Sequence, residues 1–65
     1  PGITPEEVET LITSPVEVEL LGIPRQEILR SISKYALSSI TLDFEEGTDI
    51  YWARQQVSER LSNVW

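Results

Sequence analysis

The 65 residues carry 11 acidic and five basic side chains, a formal net charge of −6, and no Cys, His or Met. A disulfide framework and the usual zinc ligand sets are excluded. The five cations, Arg25, Arg30, Lys34, Arg54 and Arg60, form no run of the kind that neutralises nucleic-acid phosphates or anionic membranes. A chain this short buries only about 60% of its unfolded surface on folding, so with no covalent or metal staple it is expected to lean on a partner.

The sequence starts Pro1-Gly2 without an initiator Met, which suggests a domain cut from a longer chain, with a processed small protein as the alternative. No apolar stretch approaches the roughly 20 residues needed to cross a bilayer.

In chain order, a helix is expected over about 4–21. Thr4-Pro5-Glu6-Glu7 reads as a capping box, with Thr4 at the N-cap, Pro5 in the first turn and Glu7 returning to the cap. Val8, Leu11, Ile12 and Pro15 follow at helical spacing, leaving Glu6, Glu9, Thr10 and Thr13 on a wet face. Pro15 has no N–H and its ring presses on the carbonyl of Leu11, so a kink or restart is predicted there. Val16, Leu20 and Ile23 continue the buried stripe before Gly22 and Pro24 end the helix.

A β-hairpin comes next, with strands over about 27–33 and 38–45. Ile28 and Ile32 are expected to point inward on the first strand. On the second, Ile40, Leu42 and Phe44 alternate with Ser39, Thr41, Asp43 and Glu45, so one face is meant to be covered. Thr48 or Asp49 then caps a helix over about 49–64, with Ile50, Ala53, Val57, Leu61 and Val64 in a narrow apolar arc. The sum is an α+β unit, two helices packed on an antiparallel hairpin, forming a single partial domain over 1–65.

Nothing here assembles into a catalytic or cofactor site. Glu17 with Glu19, or Glu45 with Glu46, lack a nucleophile or basic partner and read as solvated surface charge. Asp43, Glu45, Glu46 and Asp49 gather carboxylates around Gly47, but the spacing of a calcium loop is absent, so a turn and a helix cap is the better reading and no metal site is assigned. Ser31, Ser33, Ser38 and Ser39 lie in no nucleophile elbow. The isolated glycines make no phosphate loop. Trp52 falls away from the apolar arc on the helical wheel; it either meets another protein surface or folds over the hairpin. The hairpin also lacks a neighbour, because two strands alone are marginal and Ile40–Phe44 reads as an interior strand.

The ordered set Pro1-Gly2-Ile3-Thr4-Pro5-Glu6-Glu7-Val8-Glu9, Ile12-Thr13-Ser14-Pro15-Val16-Glu17, Arg30-Ser31-Ile32-Ser33-Lys34-Tyr35 and Phe44-Glu45-Glu46-Gly47-Thr48-Asp49-Ile50-Tyr51-Trp52-Ala53-Arg54 resembles the first porter subdomain of the resistance–nodulation–division (RND) efflux permeases. Asp49–Arg54 is most similar to the heavy-metal branch, the copper/silver and cobalt–zinc–cadmium pumps. Two departures concern loop shape: Pro24-Arg25 stands where the family usually has Pro-Gly, and Ala36 where it often has Gly.

The resemblance implies a proton-driven, homotrimeric inner-membrane transporter that docks a periplasmic adaptor and an outer-membrane channel, with this segment in the periplasm. It implies a ferredoxin-like β-α-β-β-α-β subdomain, of which these residues supply the central α-β-β-α. The second helix would line the trimer's central pore, with Trp52, Gln55, Gln56 and Glu59 facing neighbouring subunits or the pore. The family's proton-relay and substrate-binding residues match no position here. The alternative is a free-standing acidic adaptor that binds another protein.

Overall fold

The computed structural model describes residues 2–64. Its elements follow the order α1 (Pro5–Val8), a π-helical turn (Glu9–Thr13), α2 (Ser14–Leu20), β1 (Gln26–Lys34), β2 (Leu37–Phe44) and α3 (Ile50–Leu61). The first three form one continuous helical rod. β1 and β2 pair antiparallel as a two-stranded sheet, and the helices pack on one of its faces.

The rod begins as its residues dictate. Thr4 Oγ1 accepts from the Glu7 amide at 3.1 Å and the Glu7 carboxylate accepts from the Thr4 amide at 3.3 Å, closing the capping box. The interruption near Pro15 takes the form of a π-helical turn just before it, in which the Ser14 amide bonds the Glu9 carbonyl five residues back. Helical geometry explains its use. Counting back from Val16 at about 100° per residue, an unbroken α-helix sets Glu9 about 20° from the buried line and Val8 about 80° off it. One extra residue in the turn rotates the leading segment by about 100°, which brings Val8 onto the line and carries Glu9 to its edge. Val8 is fully buried, and Val16, Leu20 and Ile23 continue beneath it.

This rotation corrects the expected faces of the first helix. Thr13, expected wet, is completely buried, while Leu11 and Ile12, expected inward, are 64% and 39% exposed. The buried hydroxyl is satisfied: Thr13 Oγ1 lies 2.8 Å from Ser33 Oγ and 2.6 Å from Ser38 Oγ.

A second correction concerns β1. The ladder pairs Gln26 with Phe44 but Ile28 with Asp43, so a bulge at Glu27 shifts the register by one. A shift by one residue reverses every side chain beyond it. Leu29, Ser31 and Ser33 therefore face the helices opposite Leu42, Ile40 and Ser38, while Ile28 and Ile32 lie on the outer face, 51% and 57% exposed. The outer face also carries the Arg30–Asp43 ion pair at 2.6 Å, both partners well exposed. Along β2 the expected alternation is present, with Ile40, Leu42 and Phe44 packed against the core.

Polar contacts tie the end of α2 to its neighbours. Gln26 Nε2 donates to the Leu20 and Ile23 carbonyls, each at 2.7 Å, which completes carbonyls that a helix end leaves orphaned. Arg60 Nη2 donates to the Gly22 carbonyl at 3.1 Å, and a Cβ at Gly22 would stand 2.6 Å from the same guanidinium. Asn63 Nδ2 reaches Glu19 Oε1 at 3.1 Å. α3 is thus fastened to α2 at its C-terminal end.

Two non-glycine residues hold left-handed backbone, Arg25 (φ 68°) before β1 and Tyr35 (φ 46°) in the hairpin loop. Arg25 is the position where the RND resemblance anticipates Gly. Its carbonyl accepts from the Glu45 amide at 2.8 Å, a backbone contact that any residue keeps. Left-handed geometry costs a side-chain-bearing residue roughly 1–2 kcal/mol, partly offset by the entropy glycine loses on folding. Arg25→Gly is expected to stabilise the chain by about 0.5–1 kcal/mol, seen as a higher urea midpoint with an unchanged slope.

Candidate functional site

The open side of the fold is the place to look for function. α3 is fastened to α2, and between its first turns and β2 lies an apolar groove of about 340 Å³. Leu20 forms its floor, Ile40, Leu42 and Phe44 its sheet wall, and Ile50, Ala53 and Val57 its helix wall, with Arg54 at the rim. β2 borders it as a sheet edge, since its only partner among the described residues is β1. The Cα radius of gyration, 12.7 Å, exceeds the roughly 11 Å of a compact chain of this length, in keeping with extents of 44 × 21 × 16 Å. Ile50, counted in the buried arc from sequence, is 55% exposed at the groove mouth.

α3 starts where the turn chemistry puts it. Gly47 takes φ 85°, Thr48 Oγ1 donates to the Glu45 carbonyl at 2.7 Å, and the Asp49 carboxylate accepts from the Trp52 amide at 3.0 Å as N-cap. The carboxylates around Gly47 are thereby divided among structural tasks: Asp43 pairs with Arg30, Asp49 caps α3, and Glu45 stands 3.9 Å from Arg25. Among the described residues no group of three or more metal-ligating side chains converges.

The four residues singled out on this helix do not share one environment. Trp52 is half-buried against the core, its ring edge-on to Phe44 with centroids 6.2 Å apart and planes at 78°. Of the two readings open for Trp52, the structure shows the one in which it folds over the hairpin: the indole is long enough to lean back over the sheet from the flank of the stripe. Gln56 is half-buried. Gln55 and Glu59 are exposed one turn apart, with Gln55 Nε2 donating to Glu59 Oε1 at 3.3 Å. Tyr51, 74% exposed, and Ile50 add an apolar element to the free surface of α3.

An α-β-β-α unit with an open sheet edge and a groove beside it is consistent with a fragment of a larger α+β subdomain. The AcrB/AcrD/AcrF family matches residues 1–65, and the chain belongs to it. Protein HelA of Legionella pneumophila is 48% identical over 63 residues, covering 97% of this chain. The cation efflux system protein CzcA of Alcaligenes sp. (strain CT14) is 48% identical over 64 residues, and the cation efflux system protein CusA of Escherichia coli (strain K12) 39% over 64, each covering 98% of this chain. The chain spans 6% of the length of each. The likeness to the heavy-metal RND branch is thus borne out. No solved structure matches the chain significantly.

If the indole is part of the chain's own packing, Trp52→Ala lowers stability by about 1–3 kcal/mol, less than for a fully buried Trp because the ring is only half covered. Glu59→Ala, on the exposed side, changes it by less than about 0.5 kcal/mol. Thermal unfolding of the two variants beside the parent separates these outcomes.

Proposed function

We propose that the chain is a periplasmic, non-catalytic structural and subunit-contact segment of a proton-driven RND transporter that exports heavy-metal cations. What supports this most is the combination of similarity to cation efflux proteins over nearly all of this chain with a fold left open along one side. No helix among the described residues is long and apolar enough to cross a membrane, which fits a segment standing outside the bilayer. In this reading the chemistry of transport belongs to other parts of the parent, and the tripartite assembly with an adaptor and an outer-membrane channel is made by the parent as a whole.

The open edge of β2 and the groove beneath α3 take further strand from the parent, which completes a ferredoxin-like sheet. Backbone groups along β2 then find partners, and Ile40, Leu42 and Phe44 lose their remaining contact with water. With that side closed, the exposed surface of α3, carrying Gln55 and Glu59, is left to meet neighbouring subunits or the pore, with Trp52 and Gln56 bracing it from beneath.

The test is made in the parent transporter. Gln55→Cys and Glu59→Cys, each in an otherwise cysteine-free background, are expected to give inter-subunit disulfides under mild oxidation, read as dimer bands on a non-reducing gel. An outer-face reporter, Thr41→Cys, is expected to stay monomeric. Cross-linking at Thr41 with none at either α3 position overturns the placement. The isolated 65-residue chain, its groove unfilled, is expected to self-associate with rising concentration in sedimentation velocity.

A further inference from the structure

The helical rod Pro5–Leu20 holds a local conflict that the transport role does not absorb. Its π-helical turn exposes Leu11 and Ile12 and buries Thr13 completely, the reverse of what hydrophobicity alone favours. Two polar contacts hold the arrangement. The Thr13 hydroxyl bridges Ser33 and Ser38, the pair next to the Lys34–Leu37 pair that flanks the two-residue loop. The Glu9 carboxylate accepts from Ser33 Oγ at 2.9 Å and Ser14 Oγ at 3.2 Å.

The competing arrangement is an unbroken α-helix on the same Val16–Leu20 anchor. It brings Ile12 about 40° from the buried line, on the opposite side from Thr13, and aligns Glu9 with it at about 20°. Such a helix gains the burial of Ile12 but loses that of Val8 and drives a carboxylate toward the core. The burial gained at Ile12 and lost at Val8 are of similar size, so the selection falls to the polar groups, the seam and the Glu9 carboxylate. Pro15, with no amide hydrogen to give Leu11, removes one of the bonds that would favour the α form.

We propose that this rod is a two-register element: the Thr13–Ser33–Ser38 seam and Glu9 select the π register, and releasing them lets the segment ahead of Pro15 rotate by about 100° into an α register that withdraws Ile12 from the surface. The hairpin tip thereby governs both the direction of residues 2–8 and the apolar surface of Leu11 and Ile12. Packed elements of this kind move between discrete arrangements rather than by continuous deformation.

Because the chain has no native Cys, one thiol introduced outside the seam reports the register. Ile12→Cys reacts readily with a soluble thiol reagent in the π register and slowly in the α register, which withdraws it. Adding Glu9→Leu, which removes the charge that opposes the α form, is expected to slow that reaction at least tenfold, and an unchanged rate overturns the proposal. If the rate rises the variant has unfolded, and Ser33→Ala, which cuts the seam without touching an apolar contact, decides instead: a several-fold slowing supports the switch, and no slowing overturns it.

Discussion

Placing Val8 above Val16 and Leu20 is the constraint from which the rest of this small fold follows. With only five buried apolar residues among those described, Val8, Val16, Leu20, Ile23 and Ala53, the fold cannot spare the first of them, and an uninterrupted helix would put the Glu9 carboxylate in its place. The π-helical turn resolves the conflict, and its consequences reach the hairpin. Thr13 becomes the residue that faces the sheet, and it needs hydroxyl partners there. Ser33 and Ser38 supply them only because the bulge at Glu27 has set β1 in the register that turns Ser33 inward.

The two irregularities therefore answer one another. Without the bulge, Ile28 and Ile32 would meet the helices and Thr13 would have no partner from β1. The bulge lets Gln26 and Ser33 face the helices from the same strand, and Gln26 donates to the carbonyls of Leu20 and Ile23 at the end of α2. A buried polar group is tolerated where it is satisfied and costly where it is not, and here the hydroxyl seam and the glutamine cap stand at opposite ends of the same strand. Between them lies Leu29, the one β1 side chain that joins the apolar core.

What the chain leaves undone has the same physical logic. α3 is fixed to α2 by Arg60 and Asn63 at its far end, and its near end stands away from β2 over an apolar groove. The apolar residues around that groove are too many for a finished surface and too few for a closed core. The chain belongs to the AcrB/AcrD/AcrF family and spans a small part of the length of its relatives.

The local elements could be read from the sequence because each depends on neighbours only: the Thr4–Glu7 box, the caps before α3, the alternation of Ile40, Leu42 and Phe44, and the stripe from Val16 to Ile23. The family, too, was legible in the linear order of residues. What tertiary structure decided was phase. The faces of the first helix and of β1 were misread because one extra residue in a helix or a strand leaves composition and periodicity almost unchanged while reversing which side chains are covered. The two readings of Trp52 were settled in the same way, since a wheel records where a side chain starts and not where a long indole ends. Such choices are made between elements, where the burial of Val8 and the pairing of Thr13 with Ser33 and Ser38 outweigh the exposure of Ile12, and no local pattern carries that balance.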